Sequence, residues 1–505
     1  MLAQFSRDFH ESWMFVSASE MYHLEEELFA SGTSAENLMD EVGLKIAHEL
    51  RRRFPDSSNL LAIAVIGKGN NAADALVALH HLREAGWRVA LRASIPPSKL
   101  SGLALKKYQQ LGEIMILDSL LELETPHHLI LLDGLLGIGS TGKIREPQAT
   151  LAREMNHLRQ LGRATTIAID LPSGLDCHSG GATSETVVAD LTLTLGRAKQ
   201  GLIADQAIDF VGSLELIAFS DLATSNDHAD YLITPQSLPT ARLTPPFHYH
   251  KGEAGRIGII AGSKGLAGAA ALSALGALRA GGGLITVFVR EEDYPFILSL
   301  VPVEVMVKPV KSYREVLEHQ LDCLALGPGL GLQANHEVLS LINHFAQPAV
   351  IDADALNLLS QRGSLSKIPS HHVLTPHPGE MKRLLPDAQG SRAEIAREFT
   401  TRCRATLLYK GARTIITQRQ SPLSYNTSGT PAMASGGQGD LLTGVISAFL
   451  ARGFTGMEAA QLASWLTGRA SEIAASDHSI EWVSATTTAA YLGKAFRDLR
   501  LRASL

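Results

Sequence analysis

Leu60-Leu61-Ala62-Ile63-Ala64-Val65-Ile66-Gly67 is an unbroken apolar run that stops at a glycine. Continuous apolarity without polar alternation predicts a strand buried on both faces. A Gly/Asn loop follows, and apolar residues at helical spacing run from about Asp74 to Ala85. The same cycle of strand, loop and helix recurs around residues 128–134, 166–171, 256–262, 322–328, 347–352 and 413–417. Repetition of that cycle predicts an α/β protein, its parallel sheets covered by helices on both sides. Ligands of such sheets bind beyond the carboxyl ends of the strands, where nearly every motif discussed below falls.

The rhythm lapses between about Asp221 and Pro246, where Asn226, Asp227 and His228 are followed by Pro235, Pro239, Pro245 and Pro246. Proline and polar clustering without periodicity reads as an interdomain linker. The chain therefore divides into one α/β domain over 1–224 and a second over 225–505. The basic tail from Arg497 onward is expected to fray. A hydrophobic fraction of 45% supports packed cores, and a net charge of −6 offers no basic footprint for nucleic acid or a membrane surface. Cys177, Cys323 and Cys403 share no metal-type spacing, so a reducing cytoplasm is the expected compartment. Arg7, Asp8 and Glu11 interrupt any signal-peptide core, and the apolar stretch Lys264 to Arg279 is too short to span a bilayer. It reads as a tightly packed helix of small residues.

In the second half, Gly436-Gly437-Gln438-Gly439-Asp440 opens a helical pattern carrying Leu441, Leu442, Val445, Ile446, Phe449 and Leu450. Glycines ahead of a helix let backbone N–H groups converge, and the helix N-terminus adds a positive dipole end, which together make an anion site. Asp440 in the first turn is placed either to take a proton from a hydroxyl attacking a phosphate or merely to cap the helix. Lys410-Gly411-Ala412-Arg413-Thr414 follows an apolar run and suits a nucleotide phosphate or ribose as well as a plain surface turn. Thr375-Pro376-His377-Pro378-Gly379-Glu380 projects His377 from a rigid loop. Gly327-Pro328-Gly329-Leu330-Gly331, Asp352-Ala353-Asp354 and Gly262-Ser263-Lys264-Gly265 are further strand-end loops, the last without Walker spacing.

Taken in order with His250-Lys251-Gly252 and Gly268-Ala269-Ala270, these motifs resemble the ADP-dependent NAD(P)H-hydrate dehydratase domain, a ribokinase-like α/β/α fold, over nearly all of 230–500. The resemblance implies that (S)-NAD(P)HX, nicotinamide cofactor hydrated at C6, is dehydrated at the expense of ADP, with AMP and phosphate released and Mg²⁺ involved. It implies hydrate contacts at Ala269, Gly329, His377 and Asp440, with Asp440 catalytic. Nucleotide contacts fall at Lys410, Gly411, Ala412, Arg413, Thr414 and Gly439. The chain departs from the family where Thr430-Pro431-Ala432 replaces Asn-Pro-Gly and where Thr467 replaces a His.

In the first half, three strand ends carry Asn70-Asn71-Ala72-Ala73-Asp74, Asp133-Gly134 and Asp170-Leu171-Pro172-Ser173. Side-chain oxygens of Asn71, Asp133 and Ser173 arriving together suit a hard monovalent cation, and Asp170 suits a proton donor or acceptor. Each alone fits a capped turn equally well. With Leu38-Met39-Asp40-Glu41-Val42-Gly43 and Lys199-Gln200-Gly201-Leu202, the set resembles the NAD(P)H-hydrate epimerase domain, which is Rossmann-like, three-layered and K⁺-binding. That resemblance implies interconversion of (R)- and (S)-NAD(P)HX. It implies substrate contacts at Asn70, Asn71, Ala72, Ala73, Asp74, Gly137, Ile138, Gly139, Ser140, Thr141, Gly142, Lys143 and Asp170, with Asp170 catalytic.

The family loop is Asn-Asn-Gly-Gly-Asp-Gly, whereas all three glycines are alanine in this chain, at Ala72, Ala73 and Ala75. Were any of these positions to need positive φ, an alanine would cost about 1 kcal/mol or more, so reduced or lost epimerase turnover is the expectation. The fused pair is expected to be a cytoplasmic homo-oligomer acting on NAD(P)HX and ADP. Two alternatives stay open: a ribokinase-like kinase of a small alcohol or vitamin precursor, and a first half that only binds or oligomerises.

Overall fold

The computed structural model describes residues 14–139, 142–219, 229–331, 335–362 and 364–503. The chain forms two compact units, Met1–Asp227 and His228–Leu505.

The first unit is built on seven parallel strands: β1 (Leu60–Ile66), β2 (Arg88–Ala93), β3 (Met115–Ile116), β4 (His128–Gly134), β5 (Ala164–Ile169), β6 (Leu191–Leu195) and β7 (Ser213–Ile217). Their order across the sheet is β3-β2-β1-β4-β5-β6-β7. The chain winds one way to β3 and returns past β1 to β4, so a crevice opens at the carboxyl ends of β1 and β4. Alternate residues of β1 enter different cores: Ala62, Ala64 and Ile66 join one cluster, and Ile63 and Val65 join another. That is the physical content of an unbroken apolar strand: both faces lose water.

One boundary differs from expectation in a way that matters. The helix after β1 spans Asn70–Glu84, with Gly69 as its extended N-cap. The Asn-Asn-Ala-Ala stretch, read as loop, is the first turn of that helix. Polar Asn at the start of a helix resembles a loop in composition, because Asn occurs in both.

The second unit holds ten strands: β8 (Tyr231–Ile233), β9 (Arg256–Ile260), β10 (Leu284–Arg290), β11 (Met306–Val310), β12 (Cys323–Leu326), β13 (Ala349–Ile351), β14 (Val373–Leu374), β15 (Thr406–Tyr409), β16 (Ile415–Thr417) and β17 (Ser424–Asn426). Their order is β8-β17-β16-β15-β14-β13-β12-β9-β10-β11. The cycle expected at 413–417 is not another parallel unit, since β16 runs antiparallel to both β15 and β17. The few residues between β15 and β16 are too short for a crossover helix, so only a hairpin can form.

The expected linker also shrinks. Tyr231–Ile233 is an edge strand paired with β17, and Pro235 opens a short 3-10 turn whose φ a proline pre-sets; residues 220–228 lie outside the described set. The tail does not fray through Ala503. It belongs to the Ala485–Ala503 helix, where Leu499 is fully buried and the Arg502 carbonyl accepts a 3.0 Å bond from Gln236 Nε2.

The helices Ala267–Arg279 and Gln438–Ala451 pack backbone against backbone. A Cβ on Gly276 would overlap the Leu441 carbonyl, and one on Gly444 would overlap the Ser273 carbonyl. Ser273 Oγ adds a 3.1 Å bond to the Asp440 carbonyl. The small-residue run 267–280, expected to be a tightly packed helix, is the surface that allows this approach.

Candidate active sites

In the second unit, β15, β14, β13, β12 and β9 are parallel neighbours, so the loops at their carboxyl ends form one row. That row carries Lys410, His377 with Glu380, Asp352, Gly329 and Ser263. Asp352, buried at the end of β13, clamps two elements together. Its Oδ1 accepts from Lys410 Nζ at 2.7 Å, and its Oδ2 accepts from Thr443 Oγ1 at 2.8 Å. Thr443 sits one turn beyond Asp440 on the Gln438–Ala451 helix, so Asp352 fixes the lysine and that helix against each other.

Gly437 enters this helix in the left-handed region, φ 89°, and a Cβ there would strike Leu272. A Cβ on Gly439 would lie 3.4 Å from Lys410 Nζ and 3.7 Å from Asp352 Oδ2. Any larger side chain would thus fill the space in front of the lysine. Burial, with Asp352 adding and Lys410 opposing, pushes the Asp440 carboxyl up to about 6. A carboxylate of that basicity is a competent proton acceptor near neutral pH. Glu380 Oε2 lies 3.9 Å from Lys410 Nζ. Burial raises the Glu380 carboxyl, with Lys410 opposing and Asp352 adding.

His377 caps the Pro378–Leu384 helix: its Nδ1 accepts from the Gly379 N–H at 3.0 Å, and its backbone N–H donates to Glu380 Oε2 at 2.8 Å. The ring stays half exposed, with Nε2 3.5 Å from Glu380 Oε1. Gly329, at φ 58°, leaves room beside Ala269, whose Cβ would sit 2.8 Å from an added one. Within the expected nucleotide turn, Gly411 and Ala412 are exposed and Thr414 Oγ1 donates to the Gly411 carbonyl at 3.0 Å. The Arg413 side chain, however, is buried, which lowers its pKa to about 10. Its backbone carbonyl accepts from Arg392 Nη2 at 2.8 Å. Arg413 therefore offers a ligand its backbone rather than its guanidinium. Thr467 donates to the Ala463 carbonyl at 2.8 Å inside its own helix.

In the first unit the three proposed cation ligands converge. Asp133 is fully buried; its Oδ1 accepts from Ser173 Oγ at 2.7 Å and its Oδ2 from the Ser173 N–H at 2.8 Å. Asn71 Nδ2 donates to the Leu136 carbonyl at 2.8 Å, and the Leu136 N–H donates to Ser173 Oγ at 2.9 Å. The Asp133 carboxylate, the Ser173 hydroxyl and the Leu136 carbonyl thus meet in one place, with the Asn71 amide bonded to that carbonyl through its nitrogen, and none of the groups bonded to Asp133 is positively charged. Burial raises the Asp133 carboxyl to about 6, with the Ser173 bonds opposing. Carboxylate, hydroxyl and carbonyl oxygens around a buried carboxyl with no cationic partner fit a hard cation, with the Asn71 amide beside them.

Asp170 follows β5 in the left-handed region, φ 67°. The Leu195 N–H donates to its Oδ1 at 3.1 Å, and the fully buried Lys199 ion-pairs with the same oxygen while donating to the Leu195 carbonyl at 3.0 Å. Sequence reasoning missed Tyr22 and Glu25, on the Ala18–Ala30 helix. Tyr22 reaches the loop after β4, where a Cβ on Gly139 would stand 2.8 Å from its hydroxyl. Glu25 feels both Lys199 and Asp170. Nothing in an amphipathic helix remote in sequence marks these two residues as site-facing. Gly142 and Lys143 are exposed. Ser140 and Thr141 lie outside the described residues.

Ala72, Ala73 and Ala75 need a correction. All three are helical and fully buried, and among the described residues only Asp170, Ala353 and Gln420 combine a side chain with positive φ. The expected strain is absent, because the helix begins before these positions rather than after them. A Cβ on Gly134 would approach the Ala75 methyl to 2.8 Å, so glycine on the strand makes room for alanine on the helix.

Fold and site together define an α/β enzyme in which a Rossmann-like unit precedes a ribokinase-like unit. Residues 257–494 match the NAD(P)H-hydrate dehydratase family, and residues 35–201 match the family described as YjeF-related protein N-terminus. The chain is 34% identical to the bifunctional NAD(P)H-hydrate repair enzyme Nnr of Gloeobacter violaceus, over 94% of this chain and 96% of that protein. It is 31% identical to the protein of that name in Escherichia coli, over 88% and 86%. A Bacillus subtilis ADP/ATP-dependent NAD(P)H-hydrate dehydratase crystallized with ATP/Mg²⁺ is 28% identical, covering 55% of this chain and 100% of its own, with a TM-score of 0.46. The chain belongs to the bifunctional NAD(P)H-hydrate repair enzyme family. Among the described residues no helix is long and apolar enough to cross a membrane.

Proposed function

We propose that the second unit dehydrates (S)-NAD(P)HX using ADP, with Asp440 as the base, and that the first unit interconverts the two epimers. The observation that carries this reading is the Asp352 clamp, which brings Lys410 and the Asp440 helix to one point. Asp440 takes the proton of the C6 hydroxyl as that oxygen attacks the terminal phosphoryl of ADP, giving AMP and a phosphate ester. Lys410 and the N–H groups at the start of the Gln438–Ala451 helix offset the charge on the transferring phosphoryl. The ring-nitrogen lone pair then expels phosphate, and loss of a proton from the adjacent carbon restores the double bond of NAD(P)H. Ala269, Gly329 and His377 would line the hydrate, while Gly439 and the 410–414 turn would face the nucleotide. Mg²⁺ would accompany the phosphates, held by carboxylates around Lys410 such as Asp352, Glu380 and Asp440, and would screen phosphate charge.

In the first unit, Asn71, Asp133 and Ser173 would hold K⁺, which would supply a fixed positive charge beside the hydrate-binding loop 137–143 and the Asn70–Asp74 turn. We place the enzyme in the cytoplasm as a homo-oligomer. Purified protein given (S)-NADHX and ADP is expected to generate NADH absorbance together with free phosphate in equal amount. A stable phosphorylated product instead would make the second unit a kinase, and no NADH would overturn the reading.

A further inference from the structure

The loop Gly327–Gly331 follows β12, and the turn Asp352–Asp354 follows β13, its parallel neighbour. The two approach backbone to backbone: a Cβ on Gly327 would overlap the Asp352 carbonyl and stand 2.8 Å from the Ala355 methyl. Gly329 and Gly331 lie at φ 58° and 74°, so the loop takes a shape that glycine permits but does not by itself fix. Bonds from both sides fix it. On the β9 side, the Gly262 N–H donates to the Pro328 carbonyl at 2.8 Å, and Ser263 Oγ donates to the Gly329 carbonyl at 2.8 Å. On the β13 side, the Gly331 N–H donates to Asp354 Oδ2 at 2.8 Å.

That last contact depends on an unusual backbone step. Ala353 sits at φ 49°, where a non-glycine residue persists only when its surroundings over-determine it. On either side of it two carboxylates part company. Asp352 turns toward Lys410, beyond β15, and Thr443, while Asp354 turns the other way across the sheet, toward the loop after β12. Asn357, one turn further along the Ala353–Arg362 helix, brings Nδ2 to 3.4 Å from Asp354 Oδ1, and its Oδ1 accepts from Arg383 Nε at 2.8 Å. Arg383 belongs to the Pro378–Leu384 helix that His377 caps. Asp354 thus stands between the loop carrying Gly329 and the helix capped by His377, two of the residues assigned to the hydrate.

We propose, on the dehydratase reading above, that Asp354 is a positioning residue for the hydrate: it holds the Gly327–Gly331 loop at the separation from His377 that the hydrate fills, with Ser263 bracing the loop from the far side. A carboxylate is a stronger acceptor for a backbone N–H than a neutral oxygen, and removing it leaves that N–H without its partner. Loss of Asp354 therefore loosens the hydrate side of the site and leaves the Asp352–Lys410 contact on the nucleotide side in place.

The test is steady-state NADH formation by the full chain with Mg²⁺, varying (S)-NADHX at saturating ADP and then ADP at saturating hydrate. Asp354→Ala is expected to raise the KM for hydrate about tenfold or more, while the KM for ADP changes by less than about twofold. Asp354→Asn keeps an acceptor oxygen for the Gly331 N–H and is expected to recover most of that loss. Ser263→Ala, which removes a neutral bond on the loop's other side, is expected to show the same split at about threefold, and it carries the test should Asp354→Ala fail to fold. An unchanged hydrate KM in either alanine variant, equal rises in both KM values, or an Asp354→Asn protein as impaired as Asp354→Ala each overturns the assignment. Unaltered protein that makes no NADH from (S)-NADHX and ADP overturns the dehydratase reading beneath it.

Discussion

Asn70–Asp74 and Gly436–Asp440 both deliver an aspartate on the first turns of a helix, yet the two helices are entered differently. The second begins through Gly437 in the left-handed region, with Leu272 against it. The first begins through Gly69 at φ −93° and ψ −167°, an extended entry that any residue could follow with helical backbone. Glycine is therefore required at one entrance by conformation and dispensable along the other. Alanine inside a helix is about 1 kcal/mol more favourable than glycine, so Ala72, Ala73 and Ala75 stabilise the turn they occupy. If they affect turnover, they do so through the room their methyls take, not through strain.

The comparison can be broken most forcefully at Asp440. Asp440→Asn is expected to lower ADP-dependent NADH formation by about 10²–10⁴-fold while epimer interconversion in the same protein is unchanged; equal loss of both would mean the two halves are not separable in this way. Next in size is pH. With the Asp440 carboxyl near 6, the proton-accepting form prevails above that value. Dehydration measured at subsaturating hydrate should fall by about tenfold per pH unit below it, and a flat profile between pH 5 and 7, on the order of that titration range, would remove Asp440 from the base role. Gly437→Ala should cost about 1–3 kcal/mol in thermal or denaturant unfolding of the second unit, combining positive φ with the Leu272 overlap. The smallest effect belongs to the other entrance. Ala72→Gly, Ala73→Gly and Ala75→Gly should each destabilise the first unit by up to about 1 kcal/mol. Faster epimerisation in the triple variant would show that the three methyls do restrict the site.

The sheets were legible because their evidence is local: Leu60–Ile66 announces a doubly buried strand in its own composition. The Asp440 helix was legible for a similar reason, glycines followed by an apolar helical period. The Asn70 helix start was not, since Asn and Gly before a helix resemble a loop until the capping geometry is known. The 413–417 hairpin was misread because apolar runs do not carry strand direction, which here follows from the shortness of a turn. Lys199 entered the sequence reading only as part of a resemblance, and its pairing with Asp170 depends on a sequence separation of 29 residues. Tyr22, Glu25 and Thr443 were illegible, for their importance lies in which tertiary neighbours they meet.

The left-handed backbone of Asp170 has a consequence for the ageing and improvement of this protein. A non-glycine residue at φ 67° sits above its own conformational minimum, although aspartate tolerates the region better than most residues. Glycine there would relieve strain of about 1–2 kcal/mol but leave the buried Lys199 ammonium without its carboxylate, a loss of about 3–5 kcal/mol, so a screen for heat resistance alone should reject Asp170→Gly. Selection for robustness and selection for cofactor repair would then hold this single position to the same residue.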